Sequence, residues 1–182
     1  MKSLTVFFSI VLCSLAAASA RADYANDRAE IENLSARYMI AVDAGDIETV
    51  MATWAEDGIL VWGNGTERGT AAIRKAMSNF GGAKARQLLA AGSTTRQRQR
   101  HHIVNHVIDV DGDKARSVAY WFVITNETPQ KDVQLYNFGH YEDELVRRNG
   151  RWLFSKRTVY NESRSNRAMF YPRLGETAPR PE

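Results

Sequence analysis

Cysteine is almost missing from this chain. The 182 residues contain one, Cys13, and it lies in an apolar N-terminal stretch. Long hydrophobic runs are scarce as well. The one extended stretch, Leu4 to Ala18, is too short and too rich in alanine at its end to span a bilayer. Lys2 precedes it, and the small-x-small triplets Ala18-Ser19-Ala20 and Ala20-Arg21-Ala22 follow it. Residues 1–22 therefore read as a cleaved export signal, and we expect a periplasmic protein. Leu12, bulky and directly before Cys13, argues against lipoprotein processing. After cleavage no cysteine remains, which excludes a disulfide, a thiolate nucleophile and a cysteine-bound metal. An exported chain without disulfides depends on its core, and about 160 residues suffice for one domain.

Charge of one sign is also lacking. Removal of Lys2 and Arg21 lowers the formal net charge from +3 to +1, so nothing general points to nucleic acid, or to membrane after cleavage. The run Arg96-Gln97-Arg98-Gln99-Arg100 is short and has no interleaved aromatics, and it reads as a solvated loop.

What is present is periodicity that changes along the chain. Ile31, Leu34, Tyr38 and Ala41/Val42 keep the three-and-four spacing of a helix with one buried face, and Gly45 is placed to stop it. Asp46 is expected to start a second helix with Ile47, Val50, Met51 and Trp54 on one side. Gly58 to Gly63 reads as a strand turned by Asn64-Gly65. A helix opens at Gly69-Thr70, carries Ile73, Met77 and Phe80 on one face and ends at Gly81-Gly82; a weaker one covers Ala83 to Ala91. From Arg98 the period falls to 2. Strands are predicted over Arg100–Val110, Ala115–Thr125, Val133–Arg147 and Trp152–Asn161, with hairpin turns at Asp111-Gly112-Asp113 and Asn149-Gly150. Residues 163–182, rich in Arg, Pro and Ser, read as a partly ordered tail. Helices first and a meander of long strands afterwards predict an α+β fold with the helices on one face of a curved antiparallel sheet.

Asp43 ends the first helix beside an apolar cluster, where it becomes part of a base if a titratable group faces it. His101 and His102 lie early in the first long strand, and alternation lets only one of them look into a given cavity. A carboxylate beside imidazole orients the ring and stabilises its charged form. Both histidines can equally be ordinary strand residues. His102 and His106 share a face by the same alternation, but no carboxylate stands at ligand-like spacing, so no metal is expected.

Taken together, R-Y-M-I-A-V-D-A-G-D, W-A-E-D-G, R-H-H-I-V-N-H-V-I-D-V-D-G-D-K-A and G-H-Y-E-D-E-L-V-R-R-N-G-R-W-L-F-S-K-R resemble the SnoaL-like branch of the NTF2-like superfamily across residues 27–162. Within it the chain is most similar to the scytalone dehydratase, bile acid 7α-dehydratase and hexachlorocyclohexane dehydrochlorinase lyases. The resemblance implies a cone with a deep apolar pocket, assembly as homodimers or homotrimers, and proton abstraction from a small apolar cyclic molecule without any cofactor. It places the family acid at Asp43. It places the family histidine at His101, four residues before Asn105, with His102 as the fallback. Tyr38 and Arg157 match a tyrosine and an arginine of the bile acid enzymes, which implies that they hold or protonate the departing oxygen or halide, or the enolate oxygen. Read without the family, Tyr38 is equally a core aromatic and Arg157 a sheet-surface charge. Val159 and Asn161 share the face of Arg157, and Tyr141 shares one with Asp143. We expect Tyr141, Asp143 and Asn161 to line the pocket, with Trp62 opposite, where the dehydratases carry a tyrosine.

Overall fold

The computed structural model describes residues 3–92, 99–126, 128–130 and 132–163, with side chains described from Asp23 onward except at Leu88 and Leu89. The side chains of the expected leader, most of the arginine–glutamine run and the tail beyond Ser163 lie outside these. Helix α1 covers Ser3–Ala44, α2 Ile47–Met51, α3 Gly69–Met77 and α4 Gly81–Ala90. Strands β1 (Trp54–Trp62), β2 (Gly65–Arg68), β3 (Gln99–Asp111), β4 (Lys114–Thr125), β5 (Gln134–Arg148) and β6 (Arg151–Asn161) form one sheet in the order β2-β1-β6-β5-β4-β3. All neighbours are antiparallel except β1 and β6. Among the described residues no helix is long and apolar enough to cross a membrane.

The predicted faces of α1 are buried: Ile31, Leu34, Tyr38, Ala41 and Val42 all lie in the core. The helix stops at Gly45, whose φ of 68° is left-handed. Its N–H donates to the Val42 carbonyl at 3.2 Å, and the Asp46 N–H donates to that of Ala41 at 2.9 Å, which is a Schellman closure. Asp46 caps α2 by accepting from the Thr49 N–H. That helix is one turn long, and Trp54, expected on it, instead opens β1. Gly81-Gly82 begins α4 rather than ending α3. A Cβ on Gly82 would sit 2.3 Å from the Asp43 carbonyl oxygen, so a bare backbone is what lets α4 lie against the end of α1.

Strand β3 is one edge of the sheet, and α1 covers it. The Tyr24 hydroxyl donates to the Ile108 carbonyl, Arg28 donates to that of His106, and Asp43 accepts from the His101 N–H. Edge groups that water or another chain would otherwise occupy are satisfied from one helix.

Two bulges set which side chains point inward. In β3, three steps from Val104 to Val107 face two steps of β4, with Asn105 at φ 52°. The extra residue reverses the alternation. His101 and Ile103 point inward before it, and His106 and Ile108 after it. His102 and His106 therefore face opposite sides, contrary to the uniform alternation of the sequence. A second shift, between Glu144 and Leu145 of the β5–β6 pair, lets Trp152, Phe154 and then Arg157 all face the core.

The far end of the core is sealed by buried Asp27, which accepts from Arg147 at 2.7 and 3.1 Å and from the Trp152 indole at 3.0 Å. In the middle, Tyr38, Trp54 and Phe154 meet edge-on or tilted at 5.5–6.1 Å between ring centroids. Such pairs add about 0.5–1.5 kcal/mol each beyond area burial.

Candidate active site

Between the end of α1 and the sheet lies a cavity of about 420 Å³. Its apolar wall comes from Met39, Val42, Leu60, Met77, Trp121 and Val123, and its polar groups from Tyr38, His101, Tyr141, Asn64, Gln99, Asn137 and Asn161. Trp62 and Phe80 close one side, edge to face at 5.4 Å, with Phe80 tilted against the His101 ring at 6.4 Å.

Asp43 and His101 meet. The His101 Nδ1 lies 2.7 Å from Asp43 Oδ1, and its backbone N–H donates to Oδ2 at 2.9 Å. The two side chains are only 9% and 8% exposed. One residue thus occupies both carboxylate oxygens, which fixes the ring as well as the strand. An ionised Asp43 puts the imidazole proton on Nδ1, leaving the Nε2 lone pair for the cavity. Asp43 itself does not line that cavity.

Tyr38 and Tyr141 do line it. Their hydroxyls rest on thioether sulfurs, Tyr38 on Met77 at 3.8 Å and Tyr141 on Met39 at 3.5 Å. Sulfur is a weak acceptor, so each phenol remains available to a better one. Burial pushes the Tyr38 phenol up to about 12, against a smaller opposing pull from Arg157. Burial raises Tyr141 as well, with Arg157 again opposing it. Both are therefore donors at neutral pH.

Arg157 and Asp143 correct the expectation that each faces the pocket, the arginine to hold the departing group and the aspartate as part of the wall. They are cross-strand partners, both 1% exposed, joined by two hydrogen bonds of 2.8 and 2.7 Å. Neither lines the cavity. The guanidinium is stacked beneath the rings of Tyr38, Tyr141 and Phe154 at 4.7, 4.3 and 4.1 Å. Burial works against its charge, but Asp143 holds the Arg157 pKa above its ordinary value. The pair forms the floor on which the two phenols lie.

His102, the fallback base, is on the outer face, exposed and stacked on Phe122 at 4.9 Å. Trp62, Tyr141 and Asn161 line the cavity where expected. Reading the residues missed Asn137, although it stands four before Tyr141 on the same strand face. It also missed Gln99 and Trp121, which alternation within β3 and β4 places inward. Among the described residues no group of three or more His, Cys, Asp or Glu could hold a metal ion.

Comparison with known proteins follows the same lines. Residues 23–158 match the model of the SnoaL-like domain family. An NTF2-like protein with a cystatin-like fold from Novosphingobium aromaticivorans superposes with a TM-score of 0.65 at 26% identity, covering 83% of this chain and 92% of that one. A cystatin-like protein from Nostoc punctiforme gives 0.62 at 25% identity, over 76% and 93%. A candidate scytalone dehydratase from Novosphingobium aromaticivorans gives 0.60 at 22% identity, over 80% and 92%. No match was found among curated proteins.

Proposed function

The chain belongs to the SnoaL-like domain family, and from that premise we propose a cofactor-independent lyase or isomerase acting on a small, mostly apolar ring compound. The observation that carries the reading is the 2.7 Å pair of Asp43 and His101, with the imidazole on the wall of a 420 Å³ cavity. In this reading His101 Nε2 removes a proton beside an activated carbon. Asp43 holds the ring and stabilises the imidazolium. The Tyr38 and Tyr141 hydroxyls leave their sulfur partners to hold the developing enolate oxygen or the departing group. Donors fixed in a water-poor site stabilise such charge strongly. General-base help contributes about 10²–10⁴-fold, and the pocket supplies the rest. Trp62 offers only an indole N–H where the dehydratases have a phenol, so the polarising hydroxyls come from Tyr38 and Tyr141 in this chain.

An acid acting alone, as in a cyclase-type mechanism, fits less well. Both Asp43 oxygens are engaged by His101, and Asp43 is shielded from the cavity by it. We further propose export with loss of residues 1–22, and assembly into homodimers or homotrimers. A thermal-shift screen of phenols, sterols, terpenoids and halogenated rings identifies binders by the rise in melting temperature. Turnover of a binder by wild type but not by His101→Gln is the expected result. Equal turnover by both proteins rejects the dyad, and binding with no turnover by either leaves a ligand carrier.

A further inference from the structure

The carboxamides at one end of the cavity have orientations that proton counting determines. Asn161 Oδ1 accepts from the Ser163 backbone N–H at 3.1 Å, which fixes that terminal atom as oxygen. The Ser163 hydroxyl lies 2.7 Å from the same Oδ1 and 2.8 Å from the Oδ1 of Asn137. A hydroxyl has one proton and cannot donate to both oxygens. Turning Asn161 would set its NH₂ against the Ser163 N–H. Turning Asn137 about its terminal torsion costs nothing of the kind and gives a balanced chain: Asn137 Nδ2–H donates to Ser163 Oγ, whose proton goes to Asn161 Oδ1. Asn161 then presents an N–H donor to the cavity, and Asn137 presents a carbonyl acceptor.

The pair stands away from the base. His101 faces Val123 of β4, which faces Asn137 of β5. Two strand spacings separate the His101 and Asn137 backbones by about 10 Å. The β4–β5 register shifts between Val123 and Ile124, and Tyr136 and Asn137 both line the cavity there.

From this we propose that Asn137, Ser163 and Asn161 form a specificity subsite for a ring whose far end carries one donor and one acceptor on adjacent atoms. A ring lactam, or a hydroxyl beside a carbonyl, has that edge. The subsite deepens the reading given above by naming a feature of its substrate, but it is tested by binding alone.

The matched probes are 2-quinolone and coumarin, which share a bicyclic outline and a carbonyl and differ in a ring N–H against a ring oxygen. Quenching of tryptophan fluorescence reports binding, since Trp62 and Trp121 line the cavity. The full chain is expected to bind 2-quinolone about tenfold more tightly, the value of one additional satisfied hydrogen bond and one avoided mismatch. Ser163→Ala removes the hydroxyl but keeps the backbone N–H that holds Asn161, so it releases Asn137 alone to rotate; Asn137 can then offer either edge, and the preference falls to about twofold or less. His101→Gln retains the preference whether or not it abolishes turnover, which separates failure of the subsite from failure of the dyad. Equal binding of the two probes, no binding of 2-quinolone at millimolar concentration, or a preference unchanged in Ser163→Ala each overturns the proposal.

Discussion

Among the described residues the sheet carries two histidine–carboxylate pairs, one on each face, and they differ in what surrounds the second ring nitrogen. On the inner face His101 Nδ1 meets Asp43, and the ring borders a cavity. On the outer face His140 Nδ1 meets Glu162, and the imidazole lies flat on Tyr160 with centroids 4.4 Å apart. The His140 side chain is 0% exposed, and its Nε2 is buried with no hydrogen-bond partner. The primary contact is the same; the difference lies in access. A base needs its lone pair open to a reactant, and a ring covered on every side can only brace the sheet. Identical residue types at hydrogen-bond distance are therefore no evidence of chemistry until the opposite nitrogen has been followed to what it faces.

Substitutions in these pairs, and in the buried ion pair beneath the cavity, break or sharpen this contrast. The largest effect is expected at the inner pair: His101→Gln should lower kcat by about 10²–10⁴-fold on any substrate the screen provides, with the far-ultraviolet circular dichroism unchanged. A loss below tenfold would put the two pairs in the same class. Asp143→Ala tests a carboxylate whose partner is a fixed cation rather than an imidazole. It strands the buried Arg157 and should cost about 3–5 kcal/mol of unfolding free energy in urea titrations. Glu162→Gln should leave turnover within about twofold and lower stability by about 1 kcal/mol; a large kinetic effect would give the outer pair a role it is not assigned here.

The smallest effect concerns a third imidazole. His106 faces the core below the cavity floor, its Nε2 is unpartnered, and burial lowers its pKa, with Asp143 and Arg157 acting in opposite directions. A depressed folded-state value means that the neutral ring's contribution is complete above the unfolded pKa of about 6.5. It is lost as pH falls through the folded value. Wild type should therefore lose more stability between pH 7.5 and pH 5 than His106→Gln does, as read from paired denaturation curves. Parallel losses would show that His106 is not the group responsible.

Much of this arrangement was legible in the residues. The spacing of Ile31, Leu34 and Tyr38, the stop at Gly45 and the hairpin at Asn149-Gly150 each report a local constraint. Local constraints survive into the fold. The meeting of Asp43 with His101 came through the family pattern, because no periodicity relates a helix end to a strand 58 residues later. What stayed hidden depends on register. Asp143 and Arg157 were each assigned a face correctly, yet their direct pairing needs the β5–β6 alignment, and so both were set on the cavity wall instead of beneath it. The Asn105 bulge was missed because an asparagine in a strand is an ordinary residue until its φ turns positive. Strand β2 was missed because Gly65 to Arg68 has no apolar alternation to announce it.

That same extra residue in β3 has a consequence for the protein's history. The lower part of the strand is fastened to α1 through Tyr24 and Arg28, so an added residue has to be absorbed above it. The bulge takes it up, so Val104 still pairs with Tyr120 and His101 with Val123; a regular strand of the same length would have set His102 opposite Val123 and turned His101 out to water. A lineage can therefore gain or lose a residue at this point, keep the same imidazole turned inward, and leave the rest of the cone untouched.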